Sequence, residues 1–518
     1  MTAAGTGPQM TFHAGEKQVV LGIPEEMTQE MIRRGFCTGH VPDGVGFCSS
    51  TTAFDPEGMK LVWEEMAMDA GVTLLYHAMF TGCEVKNGAI QSAQIFTKGG
   101  FYRLNAKVFI DCSADADVAH YAGVPTTFGR ESDNLAQPMT LNFHVYDVDR
   151  DRLCDYVENN LDDMFRMTPR KIRPLKRYDI SGAFTKINAA KAAGEFVYNQ
   201  NRDTVLCFET SNDGEYVVNM TRISMKSAVD AFELTEAEIL GRKQVHETFH
   251  FLKKYIPGFE NCKLAYSGPN IGIRESRKIN GVYKLTVDDL TGNVMFPDAV
   301  AMGGYPIDVH SPDGNNTVHK FLKPGSWYSI PYRSLITNEI DNLIVAGRCT
   351  SVNETLWDVM RVIPCCAVTG LTGTYAVLDG TKIIGASAFY NVDYVETVEV
   401  PRSVTQIGQS AFWDCGSLET VELSEGLETI GATAFYNCDR LESIRLPDTL
   451  ISTDHSIFEH CGNLTDVDLG RSLQTLGNYA FQNCTRLQTI TVPDAMKCGA
   501  SCFVGTALKT VILPETVQ

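Results

Sequence analysis

The sequence predicts an α/β domain followed by a C-terminal solenoid of short repeats. Two observations carry that prediction. Phe389, Phe412, Phe435, Phe458 and Phe481 fall 23 residues apart, and Phe503 follows after 22. Residues 1–375 lack this period and alternate strand-like with helix-like segments, as a layered α/β sheet does.

Composition sets the outer limits. A chain of 518 residues with 44% apolar content has material for more than one core. A formal net charge of -19 argues against nucleic-acid or anionic-membrane partners, because phosphate recognition needs clustered Lys and Arg. No apolar run approaches the roughly 18 residues of a membrane span. Met1 is not followed by a basic and then apolar leader, which at face value predicts a cytoplasmic protein. The 16 cysteines include no C-x-x-C pair and suit reduced thiols.

In the first part, DPEGMKLVWEEMAMDAG reads as a helix, and Asn87-Gly88 between alternating runs reads as a hairpin turn. The strand predicted over Ala106 to Asp111 runs into DCSADADVAHYAG, with Ser113, Ala114 and Asp115 at a strand-to-helix junction. Small residues there let a backbone approach a ligand, and N–H groups at a helix start favour an anion. NLIVAGRCTS, residues 342–351, repeats the arrangement: a buried strand and then Ala346-Gly347-Arg348, whose glycine permits close approach.

From residue 376 to 518 the chain holds about six units of 23 residues. Each is predicted to contain one short strand, such as Leu418 to Leu423 or Leu441 to Leu446, and to bury its apolar face only by stacking on its neighbours. Cys415, Cys438, Cys461 and Cys484 recur at one repeat position, which marks them as small interior residues rather than ligands. The I/L-G-x-x-A-F-x-x-C-x-x-L-x-x-I/V-x-L pattern resembles BspA-type leucine-rich repeats over residues of about 383–518. The resemblance implies a surface for a protein or cell-surface partner.

The first part carries a second resemblance. FDPEGMKLVWEEM, AKVFIDCSADADVAHYAGV, QPMTLNF, GIRESRKINGVYKLTVDD, GGYPIDVH, YSIPYRSLI, DNLIVAGRCTS and RVIPCCAVTG are similar, in this order, to blocks of the FAD-dependent oxidoreductase family that includes relatives of the flavin-carrying part of heterodisulfide reductase. The family implies an α/β flavoprotein domain with an inserted α+β substrate domain. FAD-side segments would span about 1–135 and 305–375, and the substrate-side insertion about 136–304. By that resemblance Ala346, Gly347, Arg348, Arg361, Val362, Pro364 and Cys366 line FAD, joined by the junction Ser113, Ala114 and Asp115. The implied reaction is hydride or electron transfer on a small-molecule substrate. Candidate substrate contacts are Arg274, Arg277, Tyr305, His310 and Arg333. Arg277 suits a bidentate carboxylate clamp or an ion pair with Glu275 or a nearby acid. His310 suits a proton relay or a structural role.

The chain also departs from the family. Its members open with a strand and G-x-G-x-x-G, which brings the FAD pyrophosphate to a helix start. Here Gly5-Thr6-Gly7 runs into Pro8, and Gly44-Val45-Gly46 leads to Ser49. The expectation is therefore a truncated flavoprotein lacking its first βαβ unit, with an incomplete pyrophosphate cradle. A start lost in this way would leave a secreted or cell-surface location open. A 4Fe-4S cluster follows only from family inheritance, since Cys365 and Cys366 do not supply C-x2-C-x2-C spacing. Two rival readings remain. One is a non-catalytic binding or adhesion protein with a flavoprotein remnant. The other is a zinc hydrolase using HETFH, in which His246 and His250 sit one helical turn apart around Glu247.

Overall fold

The computed structural model describes residues 8–165, 175, 177–296, 299–314, 317–323, 325–356, 359–371, 383–390, 397–493 and 496–512. The chain divides into two compact units: residues 1–20, 27–68 and 73–370, and residues 21–26, 69–72 and 371–518. Gly5-Thr6-Gly7 and the boundary expected at 375 lie outside the described residues.

In the first unit the two sequence-predicted strands pair in parallel, Leu343–Val345 on Phe109–Asp111. The strand expected from Ala106 begins only at Phe109, because its three-residue partner offers a ladder no longer than that. Asn342 joins this pair to a β-meander by accepting from the Ile90 amide (2.8 Å) and donating to its carbonyl (2.9 Å). The meander is Met79–Lys86, Ala89–Thr97 and Gly100–Leu104. Its first turn is the predicted Asn87-Gly88, with both φ values positive, 53° and 74°, as a two-residue hairpin of this hand requires.

Residues 143–267 contain a five-stranded antiparallel sheet in the order Ile180–Gly182, Val205–Glu209, Tyr216–Val218, Phe143–Tyr146, Lys263–Ser267. Its residues Phe143, Tyr216 and Val218 share one core with Ala237, Val245, Phe251 and Leu252 of the helix Ala231–Tyr255. That helix is capped by Asp230, whose side chain accepts from the Phe232 and Glu233 amides. Two further elements matter for the site. One is the antiparallel hairpin Ile307–His310 with Thr317–Lys320, which sets Asp308 opposite His319. The other is the helix Ile363–Leu371.

The second unit is the solenoid. Its repeats stack in 23-residue register, Thr397 on Thr420 and Gln406 on Thr429. The fully buried phenylalanines form a column of near-parallel rings, with Phe412–Phe435 centroids at 5.0 Å and Phe435–Phe458 at 5.2 Å. The repeat cysteines are buried, and each also donates its Sγ–H to a carbonyl of the preceding turn, as Cys438 does to Phe412 (3.1 Å). One expectation is corrected. Most units contribute two strands rather than one, the second being the two-residue pieces at Thr429–Ile430, Ser452–Thr453 and equivalents, which build a six-stranded parallel sheet. Two residues are too few to produce a readable alternation.

Candidate active site

The first unit carries a cavity of about 490 Å³, open to solvent on one side, within the range that holds a small-molecule ligand. Its wall combines the rim of the five-stranded sheet, the hairpin around Asp308 and the start of the helix Ile363–Leu371. Tyr305, His310 and Arg274 line it, as do Arg361 and Val362.

Asp308 is the centre of one wall. Its carboxylate lies 3.0 Å from His319 Nε2, 3.4 Å from His310 Nε2 and 3.6 Å from an Arg361 nitrogen. Burial works to raise its pKa, but His310, His319 and Arg361 outweigh burial and hold the carboxyl well below the usual carboxylate range. Alternation along the hairpin puts Asp308, His310 and His319 within reach of one another. His310 is fixed further by Nδ1 on the Thr317 hydroxyl (2.9 Å) and by its amide on Gln137 (3.1 Å). The rings of His319 and Tyr305 meet Phe47 at 5.2 and 5.7 Å. Phe47 is placed by Asp43, whose carboxylate accepts from the Val45, Phe47 and Cys48 amides. Gly44-Val45-Gly46 is therefore the tip of an Asp-capped turn.

The flavin-side candidates fall into two groups. At the strand ends, Arg348 binds the Asp115 carboxylate (2.6 Å), and Arg277 binds the Asp115 carbonyl (3.0 Å) and the Asp117 carboxylate (2.7 Å). The Ser113 hydroxyl accepts from the Asp117 amide, and the Ala114 carbonyl from Ser276. The Ala346 amide donates to Asp111 (3.0 Å) and the Gly347 amide to the Thr369 hydroxyl (3.1 Å), so both are used inside the protein. Gly347 takes φ 83°, and a Cβ there would sit 3.6 Å from Cys366 Sγ. The second group is the helix start: Arg361 and Val362 open onto the cavity and Pro364 occupies the first helical turn. Burial pushes Cys365 up to about 12 and Cys366 up to about 11, which leaves both thiols protonated at neutral pH.

Two candidates lie elsewhere. Arg277 is spent on Asp115 and Asp117. The Arg333 guanidinium stacks over the rings of Tyr283 (4.8 Å) and Phe296 (5.3 Å), away from the residues lining the cavity. In HETFH, Glu247 accepts from three backbone amides, Val197, Tyr198 and Asn199, at 2.6–2.9 Å. Its oxygens serve a loop. No group of three or more His, Cys, Asp or Glu among the described residues is placed to hold a metal ion. Among the described residues no helix is long and apolar enough to cross a membrane.

For a flavin, the fit is best at the helix start, where the positive end of a nine-residue helix favours negative charge on a reduced ring. Sequence reasoning missed Arg202, Arg222, Asp308, His319 and Phe47. Asp308 stands inside the GGYPIDVH block, and a strand pattern pairing it with His319 was its available signal. The arginines offered none, because burial of a charged residue in a loop is not encoded locally.

The chain belongs to the FAD dependent oxidoreductase family, which matches residues 1–384. Residues 373–438 and 414–518 match six copies of the BspA type leucine rich repeat region. Among solved structures, the chain is similar to a leucine rich repeat protein of T. pallidum, with 29% identity over 27% of this chain and 76% of that one, TM-score 0.23. It is similar to p-nitrophenol 4-monooxygenase PnpA from Pseudomonas putida DLL-E4, with 9% identity over 52% of this chain and 62% of that one, TM-score 0.30. It is also similar to the flavin-dependent brominase Bmp2, with 12% identity over 55% of this chain and 61% of that one, TM-score 0.32. No curated protein matches the sequence.

Proposed function

We propose that the first unit is a flavin-dependent oxidoreductase whose substrate occupies the 490 Å³ cavity, and that the repeats bind a protein or surface partner. The observation that carries the reading is the Asp308–His319 pair on the wall that also receives the start of the helix Ile363–Leu371. FAD, when bound, supplies the two-electron chemistry. The chain's own residues orient the substrate and handle its proton. Asp308 holds His319 through Nε2, so Nδ1 is the imidazole atom that exchanges a proton with a bound molecule. Phe47 packs its ring against His319 and Tyr305, and all three line the same cavity. Relationship to the flavin-carrying part of heterodisulfide reductase, with FAD-side segments near 1–135 and 305–375, extends the same reading. The Ala346 and Gly347 amides, already bonded internally, favour a second one: a non-catalytic binding protein on a flavoprotein frame.

The two are separated by the visible spectrum of the purified chain before and after incubation with FAD. Flavin bands that survive gel filtration are expected. A chain that stays colourless overturns the oxidoreductase reading and leaves the second.

A further inference from the structure

We infer that the cavity holds its substrate by an oxyanion group, a carboxylate or a phosphate, gripped by Arg202 and Arg222. This rests on reading the cavity as a substrate site.

Several guanidinium groups of this unit, the buried Arg177 and the half-buried Arg348 and Arg150, have carboxylate partners. Arg177 meets Asp179 at 2.8 Å, Arg348 meets Asp115 at 2.6 Å and Arg150 meets Glu209 at 2.6 Å. Arg202 and Arg222 differ. Arg202 is only 6% exposed, yet its guanidinium hydrogen bond is from Nε to the Thr204 carbonyl (2.5 Å). Arg222 donates from Nη1 to the Gly314 carbonyl (2.7 Å). Neither forms an ion pair among the described residues, and both line the cavity. Asp203 attracts both side chains without reaching ion-pair distance and is itself exposed. Asp308 also attracts Arg222 without reaching ion-pair distance, but its carboxylate is engaged by His310, His319 and Arg361.

Buried charge of one sign without a partner is costly. Burial first, and then repulsion from Arg222, push Arg202 down to about 10, which still leaves it charged at neutral pH. An oxyanion between the two groups supplies the missing charge and accepts charge-assisted hydrogen bonds. Phe47, Phe184 and Phe208 line the same cavity and suit an apolar body attached to that anion.

The fold holds this pair in place from one helix. Gln244 of Ala231–Tyr255 accepts from the Arg222 amide (2.7 Å) and donates to the Arg222 and Tyr198 carbonyls. One turn on, Glu247 ties down the amides of residues 197–199, and the Asn199 carbonyl receives the Arg202 amide (3.2 Å). The carboxylate of the HETFH segment thus braces the loop that carries Arg202.

The test is calorimetric titration of the full chain with benzoate, inorganic phosphate and, as a neutral control, benzamide, with flavin uptake followed in parallel. At least one anion is expected to bind at one site, with benzamide about tenfold weaker or more, and with Arg202→Gln and Arg222→Gln each weakening the anion about tenfold, the loss of one charge-assisted bond. Benzoate binding alone identifies a carboxylate, phosphate binding alone a phosphate, and both the shared oxyanion. The inference is overturned if neither anion binds, if benzamide binds as well as benzoate, if folded variants keep full affinity, or if FAD displaces the anion. The benzoate-to-benzamide comparison on the unmodified chain decides even where a variant does not fold. Anion binding without flavin uptake keeps this inference and defeats the oxidoreductase reading; flavin uptake without anion binding does the reverse.

Discussion

The solenoid and the α/β unit are held together by contacts of different reach. In the solenoid each turn touches the next through equivalent residues 23 positions apart, as when Asn437 donates to Asp414 or Phe435 stacks on Phe412. In the α/β unit side-chain ties join residues far apart in sequence: Arg348 to Asp115, Arg277 to Asp117, Asn342 to Ile90. A repeat array distributes its stability over many identical interfaces, whereas the site depends on a few charged and polar contacts with no duplicate. The two regions should therefore respond differently to single substitutions, the solenoid through packing and the α/β unit through charge.

The largest effect is expected from Phe435→Ala. It removes the middle of a fully buried aromatic column and should cost about 3–5 kcal/mol, seen as a lower denaturation midpoint with accelerated hydrogen exchange in the flanking turns. Unchanged flavin uptake would confirm that the damage stays within the array. Rapid exchange throughout residues 73–370 would instead show that the two regions unfold as one.

Asp308→Asn tests the charge-held region and should cost about 3 kcal/mol at neutral pH, the low end for breaking a buried pair. The carboxyl is held below its ordinary value of 3.8. Its contribution is therefore fully present above that value and is lost as pH falls through the lower, folded-state value. Thermal midpoints measured from pH 7 downward should converge for the two proteins at the acid end. Parallel curves would mean that Asp308 does not titrate differently on folding.

Gly347→Ala is expected to have the smallest effect, about 1–2 kcal/mol, since alanine must then adopt a left-handed φ of 83°. The added methyl meets Cys366 Sγ at an ordinary contact distance, so the cost is conformational rather than steric. A midpoint lowered by more than twice this amount would show that the turn also serves a tighter contact.

What could be read from the sequence follows the same division. The repeat register, the phenylalanine column and the burial of Cys415, Cys438, Cys461 and Cys484 were legible because each repeat restates its neighbour. The Asn87-Gly88 hairpin was legible because its turn chemistry is local. The two-residue strands of the solenoid were not, being too short to alternate. Among the candidate site residues, Tyr305, His310 and Arg274 line the cavity, whereas Arg277 and Arg333 are engaged elsewhere. Nothing in GIRESRKI distinguishes an arginine that faces a cavity from one bound to Asp117, since Asp117 lies 160 residues away.

By itself, then, the sequence determined the two-part architecture, the period of the array and membership of the flavin-dependent family, because periodicity, turn chemistry and ordered motif blocks are properties of neighbouring residues. The tertiary structure decided which charges meet. It paired Arg348 with Asp115, gathered His310, His319 and Arg361 around Asp308, and left Arg202 and Arg222 at a cavity without a carboxylate partner among the described residues. The energy of a charge depends on its burial and on what stands opposite it, and both are set only when distant segments pack.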